Sequence, residues 1–200
     1  MCMSMEDKRR QYSYCVIVDL DYTLVSIDTT ATLAWVVCPH ITKLILNILT
    51  LTFLRFVVPL LNRALDRDVY KLLVLKLCLR ACNDSLGRAV LEVYHRALKT
   101  LNKDLLKAIW RLNTFKILLT ASVDIVAKRF RNLGFGLMIS SKIECREGRL
   151  YNLVDLYSKK HVIVKRLLKY CDRIYIIEDS PEPQYEELEN TRVFRVIYHE

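Results

Sequence analysis

The sequence predicts an α/β fold: a parallel sheet with helices on both faces and an all-helical subdomain inserted after the first strand. Three observations predict it. Short apolar runs, "VIVDL", "FKILLT" and "RIYIIED", recur far apart in the chain, and strands apolar on both faces belong inside a parallel sheet. Helix-periodic segments separate these runs, as a strand–helix alternation requires. Residues 29–113, between the first and second runs, carry helical signals and no strand signal.

The elements follow in order. Val16–Leu20 reads as the first buried strand. "LNRALDRDVYKLLVLKLCLRAC" places apolar residues at helical spacing with Arg and Lys between them. Asp84 is positioned to cap the next helix, "SLGRAVLEVYHRALKTL", and "KDLLKAIWRLN" is another. "FKILLT", Phe115 to Thr120, is the second buried strand. "SVDIVAKRFRNLG" is an amphipathic helix that stops at Gly134. "LMISSKIECREGRLYN" alternates around a Glu-Gly turn and reads as a hairpin. "KKHVIVKRLLKYC" is a helix, Arg173–Asp179 a third buried strand ending in two acids, and "RVFRVIY" the last strand.

Composition bounds the function. At 200 residues, 52% hydrophobic and 26% charged, the chain is a globular protein with a sizeable core. The net charge of +9 suits phosphate-bearing partners. The basic residues are spread along the chain, and no aromatic-interleaved basic stripe marks a nucleic-acid binder, which ranks nucleic acid low as a partner. Seven cysteines without a C-x-x-C pair argue against a zinc site and a disulfide framework. Cys78 and Cys82 read as small core residues, His40, His95 and His161 as isolated ones, and reduced cytoplasm as the compartment. Thr29–Leu54 carries one charge, Lys43, but Pro39, Pro59 and Arg55 argue against a membrane span. Buried helices are expected there, with peripheral contact to a membrane surface as the second reading.

Three strand ends carry polar residues: Asp19 with Asp21, Thr120 with Ser122, and Glu178 with Asp179. In an open α/β sheet the carboxyl ends of neighbouring strands share one crevice. Carboxylates gathered there need a cation, and hard oxygen donors with few histidines select Mg²⁺ over zinc. Mg²⁺ beside a lysine suggests phosphoryl chemistry.

On these residues the chain resembles the haloacid dehalogenase superfamily of phosphatases and phosphotransferases. "VIVDLDYTLV" is similar to its first motif, D-x-D-x-T after a buried strand. "KILLTAS" supplies the Thr of the second, "SKKHVIVKRLL" the Lys of the third, Lys160 or Lys159, and "IYIIEDS" the acid of the fourth, Asp179. The helical insertion and the hairpin before the Lys resemble the phosphoserine-phosphatase-like branch. The resemblance implies a Rossmann-like core of residues 1–28 and 114–200, a helical cap of residues 29–113, and a phosphoric monoester hydrolase. It implies Asp19 as nucleophile, Asp21 as general acid and base, Thr120 and Lys160 as groups on the phosphoryl oxygens, and Thr23 and Ser122 as substrate contacts. The implied Mg²⁺ ligands are Asp19, the main chain of Asp21, Asp179 and, as an auxiliary, Glu178. The implied substrate is a small phosphorylated metabolite.

The departures are specific. Tyr22 stands where the family often has Gly, Glu178 where it often has Gly, and Pro183 where it expects another Asp, with Glu182 beside it as a substitute. A catalytically weak member that binds a partner, or a membrane or lipid phosphate, through the apolar helical segment is therefore the alternative expectation.

Overall fold

The computed structural model describes residues 12–38, 69–78, 84–147 and 149–197. Six strands form one sheet: β1 (Tyr12–Val18), β2 (Phe115–Val123), β3 (Leu137–Arg146), β4 (Arg149–Val154), β5 (Cys171–Glu178) and β6 (Thr191–Arg195). Their order is β4-β3-β2-β1-β5-β6. All neighbours pair parallel except the β3–β4 hairpin. β1 is central because its alternate residues are apolar on both sides. Val16 and Val18 belong to one buried cluster, Cys15 and Ile17 to the other.

Among the described residues, four helices lie between β1 and β2: α1 (Thr29–Val37), α2 (Val69–Cys78), α3 (Asp84–Lys99) and α4 (Lys103–Arg111). Asp28 caps α1 by accepting from Ala31 N–H at 2.7 Å, and Asn102 caps α4 by accepting from Leu105 N–H at 3.0 Å. In α3 the buried Leu86, Ala89, Val90, Val93 and Ala97 recur three and four apart, and this stripe joins the cluster on the Val16 face of the sheet. α5 (Asp124–Ala127) continues into a 3-10 stretch, Lys128–Leu133, and stops at Gly134, whose φ of 88° needs a residue without a Cβ. α6 (Lys160–Leu167) covers the opposite face through Val164, Ile163 and Leu167.

Among the described residues the element types expected from the sequence are present, with boundaries moved: β1 starts at Tyr12 and ends at Val18, β2 runs on to Val123, and β5 is Cys171–Glu178. The Ser122–Gly134 segment is a short helix and a 3-10 stretch, because its first two residues belong to β2. β6 ends at Arg195. Most of the apolar stretch Thr29–Leu54, together with Arg55, Pro59, His40 and Cys82, lies outside the described residues. Among the described ones no helix is long and apolar enough to cross a membrane.

The expectation against disulfides is corrected. Cys15 is bonded to Cys171 and Cys38 to Cys78, with Cα separations of 5.9 and 4.2 Å. The partners lie 156 and 40 residues apart in sequence, so no local spacing announced them. The first pair meets because β1 and β5 are neighbours; the second ties α1 to α2.

β2 pairs with β3 through Thr120 and again at Val123, so the register shifts between them. A bulge of this kind bends the strand and frees backbone groups from the ladder. Here Ala121 turns its carbonyl to the Ser141 hydroxyl at 2.7 Å and to the Lys71 ammonium of α2. The same ammonium reaches the buried Asp155 at 2.9 Å, so one ion pair links α2 to the end of the hairpin. Removing one charge of a buried pair leaves the other in a low dielectric. Lys71→Met is expected to destabilise the protein by about 3–5 kcal/mol, and Lys71→Met with Asp155→Asn by less. Urea midpoints of the three proteins check the order.

Candidate active site

The crevice at the carboxyl ends of β1, β2 and β5 gathers the acids. Asp19 follows β1 directly, and its N–H donates to the Ile177 carbonyl at 3.0 Å. Its carboxylate therefore stands beside the end of β5. Asp19 Oδ1 accepts from Leu20 N–H at 2.7 Å, and Oδ2 accepts from the Lys160 ammonium at 2.8 Å. Lys160 opens α6, is 6% exposed, and also donates to Glu178 Oε1. Lys160 is thus the lysine that reaches Asp19; Lys159 precedes the helix as its N-cap residue.

The charges account for the protonation of this group. Burial alone would lower the Lys160 pKa, but Asp19 and Glu178 outweigh it and hold the ammonium above the ordinary lysine value. Burial pushes the Glu178 carboxyl up; Lys160 opposes this, and the Asp19 charge adds to the rise. Burial and then Asp19 push Asp179 up as well. Asp21 is raised to about 7, first by burial and then by Asp28, while hydrogen bonds from Ser122 and Thr29 lower it.

Asp21 is held by two donors. Thr29 N–H, at the start of α1, donates to Oδ1 at 3.0 Å, and the Ser122 hydroxyl contacts Oδ2. Ser122 in turn shares a hydrogen bond of 2.7 Å with the Thr29 hydroxyl. Thr120 Oγ1 accepts from Ser122 N–H at 3.1 Å, and a hydroxyl that accepts one bond still has its hydrogen to donate. The bulge in β2 places Thr120 and Ser122 against the loop after β1.

Two expected substrate contacts are corrected. Thr23 is 0% and Ser122 1% exposed, and both point inside the loop framework. Thr23 Oγ1 accepts from Asp179 N–H at 2.9 Å and lies 3.4 Å from Asp179 Oδ1. Thr23 therefore fixes Asp179, and Ser122 fixes Asp21. Glu182 is corrected too. Its two oxygens accept from Lys160 N–H at 3.1 Å and His161 N–H at 2.9 Å, and Oε2 lies 2.8 Å from His161 Nδ1. It holds the start of the helix that carries Lys160 and is not placed as a metal ligand. Glu178, expected as an auxiliary metal ligand, is turned onto Lys160.

Tyr22 occupies a backbone conformation that favours Gly. Its φ is 53°, the left-handed region where Gly costs nothing and other residues cost about 1–2 kcal/mol. The Leu20 carbonyl accepts from Leu24 and Val25 N–H, closing a turn that forces this conformation. The ring is 48% exposed at the mouth of the crevice. The sequence carried no signal for Asp28, which lines the same cavity, or for the Glu182 brace; both depend on chain folding between distant elements.

Asp19, Asp21, Thr120, Lys160, Glu178 and Asp179 share one cavity of about 440 Å³. Among the described residues no three His, Cys, Asp or Glu side chains are close enough to hold a metal by themselves. Asp19, which also accepts from Lys160, lies close enough to Asp179 for its charge to push the Asp179 carboxyl up. Oxygen donors of the kind that Asp19, Asp179 and the Asp21 carbonyl supply would suit a hard cation such as Mg²⁺.

No protein family model matches the chain, and no curated protein matches it in sequence. Solved structures do. A phosphoserine phosphatase in its apo form aligns over 92% of this chain and 86% of its own, with a TM-score of 0.61 at 12% identity. A phospho-aspartyl intermediate analogue of phosphoserine phosphatase aligns over 86% and 79%, with a TM-score of 0.56 at 13% identity. A HAD family hydrolase from Salmonella enterica serovar Typhi aligns over 88% and 59%, with a TM-score of 0.55 at 14% identity. At these identities the likeness is one of fold, and the chain has the fold of the haloacid dehalogenase-like hydrolases in the form that phosphoserine phosphatases share.

Proposed function

We propose that the chain is a Mg²⁺-dependent phosphatase that acts on a small phosphorylated metabolite through an aspartyl-phosphate intermediate. The observation that carries this reading is the meeting of Asp19, Thr120, Lys160 and Asp179, from four distant segments, around one cavity. The fold likeness to phosphoserine phosphatases supports the same chemistry. Residues 29–113 would be its substrate-selecting cap and the cytoplasm its compartment. The Cys15–Cys171 and Cys38–Cys78 disulfides are the observation that speaks against a reducing one.

Bound between Asp19, Asp179 and the Asp21 carbonyl, Mg²⁺ would offset the negative charge of carboxylates and phosphoryl oxygens. The chain's own groups do the rest. Asp19 attacks phosphorus, the bond to the leaving oxygen breaks, and Asp21 gives that oxygen its proton. Water then attacks the phosphoryl group, Asp21 takes the water's proton, and the Asp19–phosphorus bond breaks. A pKa near 7 lets Asp21 serve as both acid and base at neutral pH. Thr120 and Lys160 hold phosphoryl oxygens, so stabilisation comes mainly from placed charge.

A second reading, a catalytically weak member that binds a partner or a membrane lipid phosphate through its apolar helices, is favoured by one observation. Lys160 is shared with Glu178, which competes with Asp19 and the phosphoryl group for the same ammonium.

Asp19→Asn keeps the shape and removes the attacking charge, so phosphate release from an aryl phosphate should fall to background. Retained release by the purified variant contradicts the assignment. Asp179→Ala should raise the Mg²⁺ concentration needed for half-maximal rate far more than Glu178→Ala; the reverse order contradicts the ligand set. The pH dependence has a definite sign. Asp21 has a folded pKa of about 7, above its ordinary carboxyl value of 3.8. The folded state therefore holds the proton where the unfolded chain has lost it, and this stabilising contribution is lost as pH rises from 3.8 through about 7. Glu178 and Asp179 act in the same direction. Without divalent ions the melting temperature should fall between about pH 5 and about pH 8, and Asp21→Asn should flatten that fall.

A further inference from the structure

Three strands assemble a surface that no single segment displays. Tyr14 is 44% and Phe194 50% exposed, and Tyr175 between them is part-buried. The ring centroids of Tyr14 and Tyr175 are 6.1 Å apart, as are those of Tyr175 and Phe194. The rings therefore form a row across β1, β5 and β6 on one face of the sheet. The exposed Arg173 pairs in register with Tyr14, and the exposed Arg192 with Tyr175. Paired residues of parallel strands share a face, and residues two apart on a strand do too. Arg173, Tyr175 and Arg192 line a concavity of about 350 Å³ with Asn190. Along β5 and β6 this face carries the exposed Arg173, Arg192 and Phe194, with Tyr175 and Ile177 part-buried against the core cluster of the same face, and no carboxylate.

We propose that this face is a binding platform for single-stranded nucleic acid. Rings in a row on a sheet offer stacking surfaces to unpaired bases, and flanking guanidinium groups meet the phosphates between them. Arginine also stacks on bases while carrying its charge. A duplex keeps its bases stacked away from such rings, so the single-stranded form is selected. A second copy of the chain is a poorer occupant, because pairing this face with itself sets arginines against arginines on chains of net charge +9. The scattered basic residues of the linear sequence carried no such stripe; the parallel order β1-β5-β6 creates it. The platform involves none of the residues placed in the crevice and does not depend on phosphatase activity.

Fluorescence anisotropy of a labelled oligothymidylate and a labelled oligouridylate, titrated with the full chain, tests it. The wild type is expected to bind with an affinity that falls as salt rises. Phe194→Ala and Tyr175→Ala should each weaken binding at least about five-fold, and Phe194→Tyr, which keeps a ring, should not. Arg173→Ala with Arg192→Ala should weaken binding and reduce the slope of log K against log salt by roughly 0.7 per arginine. Lys99→Ala with Lys103→Ala, exposed where α3 ends and α4 begins and outside the ring row, should leave the binding unchanged. Circular dichroism melts establish that each variant is folded. Absence of wild-type binding at low salt overturns the proposal. Equal loss from the lysine and arginine variants, which marks diffuse charge attraction, overturns it as well. So does sedimentation in which the ring variants dissolve a dimer that binds no oligonucleotide.

Discussion

One buried ammonium organises the crevice. Lys160 sits between Asp19 and Glu178, with its side chain 7% exposed and theirs 11% and 5%. Each of these groups alone would lose much by leaving water. Together they persist because the attraction is undiluted by solvent and the geometry is hydrogen-bonded. That balance needs the three side chains to arrive from the ends of β1 and β5 and the start of α6. The pairing of β1 with β5 supplies two of them, and the Glu182 brace on the first N–H groups of α6 supplies the third. Glu182 also lies where a helix start attracts negative charge.

The rest of the site is a set of supports for acids that burial would otherwise neutralise. The Thr23 hydroxyl accepts from the main chain of Asp179, Ser122 and the first turn of α1 grip Asp21, and the β2 bulge sets Thr120 on the cavity with Ser122 turned inward behind it. The Ser122–Asp21 and Thr23–Asp179 contacts join residues 101 and 156 apart in sequence, so the crevice cannot form before the sheet does. α2 is tied to the same bulge by Lys71, which reaches Ala121, the residue between Thr120 and Ser122. A shift of α2 would therefore be felt at Thr120 and Ser122.

Much of this was legible in the sequence. The apolar runs of β1, β2 and β5 announced a parallel sheet, because burial on both faces leaves no polar alternation. The acids and hydroxyls at their ends were legible as a crevice by the geometry of such sheets. Side-chain direction was less legible. Thr23 and Ser122 sit beside reactive positions in the chain yet face inward, and only the turn at Tyr22 and the bulge after Thr120 decide that. Glu182 read as a replacement ligand because spacing along the chain does not reveal which helix an acid will cap. The disulfides and the Tyr14–Tyr175–Phe194 row were invisible for the same reason: each is made by strand order, not by local pattern.

The central claim is that Asp19 receives a phosphoryl group in a cavity where Lys160 and Asp179 stand ready. The most direct test is peptide mass spectrometry of the protein quenched in acid during turnover of an aryl phosphate with Mg²⁺. The account predicts a phosphoryl adduct on the peptide containing Asp19, labile to hydroxylamine and missing in Asp19→Asn. Turnover without an adduct at Asp19, or with one on another residue, would contradict it.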